Sequence, residues 1–413
     1  MHKDFFITNR NDVYEKLKDQ SLLVLFAGKA PHKSADEAYK FVPNRHFYYL
    51  TGIDEPNIIF AARKKGTIVE EFLFIEKSDP ILEKWVGKSI SIDEAIAASG
   101  VNDILYIDQF ESIFSQTFFA ESTFHVYLDL ERRELDSITT KAQQFASKIQ
   151  ANYPHVQINN IYPTISELRV YKKPEEIEKI QKAIEITQDG IRNLMKNTKP
   201  GMKEYQLEAH FDFILNSKGI REHAFPTIVA SGKNGTVLHY EKNNALVEDG
   251  SLVLLDLGAQ FEYYNADISY TFPANGKFTD IQKTYYNIVL KALRETTALI
   301  KPGVPFSKLN KHTKDVLAEE CIKAGLIKEK HEISKYYYHG VSHFLGLDTH
   351  DVGSYKDLIL QPGMVITVEP GLYIAAEEIG IRIEDDVLVT EKGHEVLTKD
   401  IIRSVEDIEA FMQ

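Results

Sequence analysis

The chain has 413 residues, a formal net charge of -13, and 43% hydrophobic and 26% charged residues, the proportions of a folded globular protein long enough for two domains. An acidic balance of this size excludes a nucleic-acid partner tracked through its phosphates, which needs a basic stripe to release counterions, and leaves small molecules and peptides open. With Cys321 as the one cysteine, no internal disulfide and no thiolate metal cluster can form.

The first segment, "MHKDFFITNRNDVYEKLKDQ", scatters charge without an apolar core, so it does not read as a signal peptide. No run approaches the roughly 18 apolar residues of a membrane span. The expectation is a cytoplasmic protein with no membrane partner. Four short apolar runs then follow, "SLLVLFAG" from Ser21, "NIIFAAR" from Asn57, "EEFLFIEK" from Glu70 and "FHVYLDL" from Phe124, each patterned as a strand. Amphipathic stretches such as "SIDEAIAASG", stopped by Gly100, lie between them. This alternation predicts an α/β domain.

The pattern changes before "KKPEEIEKIQKAIEITQDGIRNLMKN". Pro174 suits a first helical turn, Glu175 and Glu176 complement its positive end, and Ile177, Ile180, Ile184, Ile191 and Leu194 recur at helical spacing. The domain boundary is placed just ahead of this helix, giving an N-terminal domain over 1–169 and a C-terminal domain over 170–413.

The C-terminal part contains a weak internal repeat. "KPG" at Lys199–Gly201 precedes a helix stopped at Gly219, and "KPG" at Lys301–Gly303 precedes another stopped at Gly325. Gly250 then leads "SLVLLDLG" and Gly363 leads "MVITVEPG", so Asp256 and Glu369 take equivalent places. A second acid follows each on the returning strand, Asp267 in "NADISYTF" and Glu384 in "GIRIEDDVLV". Two such units about a pseudo-two-fold axis would bring four carboxylates together.

Buried together, four carboxylates cannot stay ionised without compensation, because desolvation and like charge both favour the neutral form. Arginine or lysine candidates nearby are few; two divalent cations would balance the charge. Oxygen-rich ligation favours hard ions, and a histidine from His339, His343 or His350 in "YYYHGVSHFLGLDTHDVG" would suit manganese, cobalt, iron or zinc better than calcium.

From about residue 170 onward the chain resembles the pita-bread metallopeptidases, the group of methionine aminopeptidase, prolidase and Xaa-Pro aminopeptidase. "HGVSHFLGLDTHDVG", "TVEPGLYI" and "GIRIEDD" match its proline-directed branch, while "RHFYYLTGIDEPN" and "EKWVGKSIS" resemble the Xaa-Pro aminopeptidase subgroup, making coverage nearly full length. The resemblance implies an α/β N-terminal domain, serving oligomerisation and active-site access, and an α+β pita-bread C-terminal domain with a pseudo-two-fold internal repeat. It implies two divalent ions, Mn2+ foremost, held by Asp256, Asp267, His343, Glu369 and Glu384. It also implies that His239 contacts substrate near the cleaved bond, that His350 binds the carbonyl or stabilises the tetrahedral intermediate, and that His339 and Arg382 border a proline pocket. Tyr373 is a proton-relay candidate, and Arg169 reads as a salt bridge. Trp85 would reach a neighbouring subunit's active site, which requires a homodimer or homotetramer.

The implied reaction is hydrolysis of the N-terminal Xaa-Pro bond of peptides with proline in second position. Two ions about 3.5–4 Å apart would hold a bridging water, lower its pKa toward roughly 7 and polarise the carbonyl, with Glu369 as general base. A prolidase acting only on dipeptides shares these ligands. A metal-free creatinase-like enzyme or a non-catalytic binding module would show ligand replacement, and all five positions are retained. The chain has no G-x-S-x-G elbow, no P-loop and no H-E-x-x-H.

Overall fold

Strand β1 (Ser21–Phe26) is a nearly unbroken apolar run, SLLVLF, and its burial along almost its whole length marks it as a central strand. The computed structural model describes residues 1–120 and 123–413 and divides into two compact units, Met1–Leu168 and Arg169–Gln413. In the first unit, β2 (His32–Ser34) and β3 (Glu37–Ala38) form a small exposed pair. The remaining strands, β4 (Ile59–Lys65), β5 (Ile68–Ile75), β6 (Asp103–Tyr106), β7 (His125–Leu128) and β8 (Gln157–Asn160), join β1 in one sheet ordered β6-β5-β4-β1-β7-β8. β1, β7 and β8 run parallel, as do β5 and β6; β4 is antiparallel to both its neighbours.

The four expected strands are β1, β4, β5 and β7. The two edge strands were not anticipated: "QINN" is largely polar, and "DILY" is a four-residue strand that is at most partly buried. The helix Ile92–Ser99 begins at a Ser91 and Glu94 capping box and ends at Gly100, as the sequence suggests. Phe74, Phe110 and Phe114 stack edge-on in the core beneath the sheet.

In the second unit, the helix Pro174–Asn197 has proline in its first turn and buries Ile180, Ile184, Ile191 and Leu194, with Ile177 half-buried. It packs on Glu204–Ser217, and Asp280–Thr297 packs on Phe306–Lys323, so the helix pairs of the repeat are present twice. Each pair leads to a kinked hairpin. The first is β10 (Leu252–Leu257) returning as β13 (Ile268–Pro273), extended at its tip by β11 (Gln260–Phe261) and β12 (Tyr264–Asn265), with β9 (Ile228–Ser231) beside β10. The second is β14 (Val365–Val368) returning as β17 (Asp385–Thr390), extended by β15 (Gly371–Ile374) and β16 (Ile379–Arg382), with β18 (Gly393–Val396) beside β17.

Gly250 and Gly363 enter their hairpins with φ of 77° and 87°, the left-handed conformation glycine adopts without strain. The repeat thus extends to backbone dihedrals. It stops at the third strand of each sheet, which flanks the outgoing strand in one half and the returning strand in the other. Among the described residues no helix is long and apolar enough to cross a membrane.

Candidate metal centre and substrate pocket

Each hairpin kinks beside its acids. Asp256 lies one residue from the end of β10 and Glu369 immediately follows β14; Asp267 and Glu384 immediately precede β13 and β17. The kinks lock into one another. Ser269 donates its N–H to Glu384 Oε2 at 2.8 Å, Glu384 N–H returns to the Ser269 carbonyl at 3.1 Å, and Asp267 N–H reaches Asp386 Oδ2 at 3.3 Å. Thr271 and Arg382 exchange two more bonds across the same seam. Asp256, Asp267, Glu369 and Glu384 consequently line one cavity of about 340 Å³, together with His239, His339, His343, His350 and Arg382.

His343 is brought in by a short ladder. Its N–H donates to Thr367 Oγ1 at 3.1 Å, Thr367 N–H donates to its carbonyl at 2.9 Å, and Glu369 N–H donates to Val341 O. The ring's Nδ1 lies 2.9 Å from the Phe344 carbonyl and can only donate there, which turns Nε2 toward Asp267 Oδ2 at 3.4 Å and Glu369 Oε1 at 3.6 Å. A ring held at Nδ1 by a carbonyl is the usual orientation of a ligating histidine.

Ligand atoms of Asp267, His343 and Glu384 all lie within 4.8 Å of one another. Burial is the main cause that pushes Asp267 up to about 6 and Glu369 to about 7, and raises Glu384 well above the carboxylate range. Burial opposes charge on His343, but Asp267 and then Glu369 outweigh it and push the imidazole up to about 9. Glu384 Oε1 and Asp386 Oδ1 are buried without a hydrogen-bond partner. Orphaned carboxylate oxygens beside an oriented imidazole fit a divalent cation, which would supply the positive charge these groups lack.

Behind the carboxylates runs a polar chain. Arg382 donates Nη2 to Asp256 Oδ2 at 2.7 Å, Nε to Ser269 Oγ at 2.7 Å and Nη1 to Tyr373 Oη at 3.1 Å. The His339 Nδ1 donates to Gly340 O at 2.7 Å, so its Nε2 accepts from Tyr373 Oη at 2.9 Å. Burial pushes His339 down to about 4 and Tyr373 up to about 12, which keeps the ring neutral and the phenol protonated. His350 stacks edge-on against His343, with ring centroids 4.3 Å apart, and burial, then the two neighbouring imidazoles, hold it below the usual histidine value.

Arg169 is buried and ion-paired, Nη2 to Asp348 at 2.7 Å and Asp351 at 2.5 Å, and Lys172 closes on Asp351 at 2.9 Å. This bracket holds the loop carrying His350. Trp85 stands on Glu83–Val86 in the first unit and is 84% exposed. Ser269, Thr367 and Asp386 were not anticipated. Ser269 and Asp386 sit two residues beyond Asp267 and Glu384, the strand period that returns a side chain to the same face, and that spacing is the signal that would have found them.

Four carboxylates and a histidine held at the crossing of two repeated hairpins define a metal-dependent hydrolase. Residues 178–391 match metallopeptidase family M24, and residues 6–127 match the aminopeptidase P N-terminal domain. The Xaa-Pro aminopeptidase of Haemophilus influenzae is 34% identical over 429 aligned positions, covering 99% of this chain and 97% of that one. A solved Bacillus anthracis structure, provisionally described as an aminopeptidase P, superposes with a TM-score of 0.99 at 63% identity over 100% of this chain and 98% of its own. Aminopeptidase P of Escherichia coli with the inhibitor Pro-Leu superposes with a TM-score of 0.92 at 33% identity and the same coverage. The chain belongs to metallopeptidase family M24.

Proposed function

We propose that this chain is a metal-dependent Xaa-Pro aminopeptidase that releases the N-terminal residue of peptides with proline in second position. The observation that carries the reading is the convergence of Asp256, Asp267, His343, Glu369 and Glu384 in one cavity that His239, His339 and His350 also line. Those five would hold two divalent ions, and a donor set of carboxylates with one imidazole favours manganese. When bound, the ions would polarise the scissile carbonyl and acidify a water.

The chain's own groups do the rest. Glu369, which lines the cavity, would take a proton from the attacking water. Neutral His350 would donate a hydrogen bond to the carbonyl oxygen, where charge develops. His239 would contact the substrate beside the cleaved bond. Arg382 and His339 line the cavity and Tyr373 braces both from behind, making a stiff wall for the proline side; an Xaa-Pro bond lacks an N–H, so such a wall forfeits no donor. Tyr373 is the relay that can return a proton.

The same reading includes a homodimer or homotetramer. Its support is Trp85 with Ile81, Leu82 and Val86, each more than half exposed in one short stretch of the first unit. Trp85→Ser is expected to shift sedimentation toward the monomer. A cytoplasmic location is supported by the single cysteine, buried and unpaired.

The deciding assay strips the protein with chelator, restores Mn2+, and compares an Xaa-Pro dipeptide with an Xaa-Pro-Xaa tripeptide. Cleavage of both, or of the tripeptide preferentially, is expected. Cleavage of the dipeptide alone would make the protein a prolidase, and cleavage of neither with metal bound would reject the substrate.

A further inference from the structure

The structure assigns Glu204 the role of a positioning residue that holds His239 in the substrate pocket from outside the pocket; this rests on His239 contacting substrate, as proposed above. Glu204 is the first residue of the helix Glu204–Ser217 and is fully buried. The segment that leaves β9 at Ser231, carries Leu238 and His239 into the cavity and returns at Ala245 is tied to this one carboxylate at both ends.

At the outgoing end, Oε1 accepts from Ser231 N–H at 2.7 Å, Ser231 Oγ at 2.8 Å and Asn234 Nδ2 at 3.0 Å. At the returning end, Oε2 accepts from Tyr240 Oη at 2.7 Å and Ala245 N–H at 2.8 Å. All five donors are neutral. The carboxylate therefore serves the path of the loop rather than a cation, and a helix N-terminus suits its charge. Burial acts to raise its pKa, but the bonds from Ser231, Asn234, Tyr240 and Ala245 outweigh it and keep Glu204 below the usual glutamate value.

The link to His239 is one peptide long. Tyr240 follows it, and Tyr240 and Leu238 flank it on a small apolar cluster with Ile228, Ala230, Leu254 and Tyr373. With the Tyr240 hydroxyl on Glu204 and the ring on that cluster, the backbone at His239 has little freedom. A separate fastening holds the returning end: Asn243 accepts from Val229 N–H at 3.0 Å and donates to Thr227 O at 2.8 Å and Glu208 Oε2 at 2.9 Å. Weakening the Glu204 hub thus frees the residues around His239 while the loop's root stays attached.

Glu204→Gln tests this, because an amide presents one acceptor oxygen where the loop needs two. Turned toward Ser231, the amide oxygen leaves the Ala245 N–H without its acceptor while the NH2 can still donate to the Tyr240 oxygen; turned the other way, it leaves the Ser231 N–H without one. The expected result with an Xaa-Pro-Xaa tripeptide is a loss of about tenfold in kcat/KM, and about the same loss or less for Tyr240→Phe, which removes one hydroxyl and carries the test should Glu204→Gln not fold. The informative measurement is the double-mutant cycle with His239→Ala. If Glu204 acts through His239, adding Glu204→Gln to His239→Ala costs less than about threefold further. Losses that multiply, or wild-type kcat/KM in a folded Glu204→Gln and in Tyr240→Phe, would overturn the inference alone. Wild-type kcat/KM in His239→Ala would overturn both the inference and the reading of His239.

Discussion

Glu176 lies buried in the first turn of the helix Pro174–Asn197, accepting from Lys173 N–H at 2.9 Å and from the Tyr264 hydroxyl at 3.0 Å. Those bonds do not offset its desolvation, and burial pushes its pKa up to about 7 from an ordinary 4.5. The folded state therefore holds the Glu176 proton more tightly than the unfolded state does. Its contribution to stability is fully present below about pH 4.5 and is lost as pH rises through about 7. Glutamine can keep the bond from Lys173 and offer its amide to the Tyr264 oxygen without carrying charge. Glu176→Gln is expected to stabilise the protein at pH 8 by on the order of 1–3 kcal/mol relative to the parent, and to leave the two alike near pH 4.5. Urea melts at the two pH values check this; equal stability at pH 8 would mean that the carboxylate is solvated or paired there.

At the scale of elements, the short helical turn Gly232–Thr236 presses on β16, the strand that ends at Arg382. The contact is backbone on backbone. A methyl group on Gly380 would stand 1.9 Å from the Gly235 carbonyl oxygen, whereas one on Gly235 would find its nearest neighbour at 3.5 Å, an ordinary contact. The two glycines therefore predict opposite outcomes. Gly380→Ala must push the turn, and with it the His239 loop, off the strand; overpacking of this kind costs about 1–3 kcal/mol, so a fall of several degrees in Tm and at least a tenfold loss in kcat/KM are expected. Gly235→Ala should leave both near the parent values.

That asymmetry also marks how far the sequence can be read. The hairpin repeat is visible in Gly250, Asp256, Gly363 and Glu369 because each hairpin obeys local rules of strand period and turn chemistry. How the two hairpins cross is not local. The bonds from Ser269 to Glu384 and from Asp267 to Asp386 join residues more than a hundred positions apart, and no periodicity announces them. Nor does a glutamate opening a helix reveal that it holds a loop some thirty residues away; Glu204 reads as ordinary first-turn charge until Ser231 and Tyr240 are seen beside it. The edge strands β6 and β8 escape for a different reason: each is only four residues long, and β8 carries a single apolar residue, Ile158.

For the whole molecule, the proposed metal centre ties folding to ligand binding. Asp267, Glu384 and Asp386 come from both hairpins and are nearly sealed from solvent, with two oxygens lacking any hydrogen-bond partner. Without a cation, folding must bury these groups either protonated or mutually repelling, and both options weaken the native state. A divalent ion binds the folded arrangement and not the dispersed ligands of the unfolded chain, so it stabilises by mass action, about 2.7 kcal/mol at a hundredfold excess over Kd. For a unit of this size that corresponds to a rise in Tm of about 5–10 °C. Scanning calorimetry of chelator-stripped protein with and without Mn2+ should show that rise. Asp267→Ala removes a donor and also relieves the repulsion on Glu384, so the variant should melt near the stripped parent, respond to Mn2+ by less than half as much, and lose metal-dependent hydrolysis by at least a thousandfold. Hydrogen exchange should locate the effect, with Mn2+ slowing peptides over 252–273 and 365–390, the hairpins that carry the proposed carboxylate ligands. A full Mn2+ response in Asp267→Ala would mean that the ion is held elsewhere than at the crossing of the hairpins.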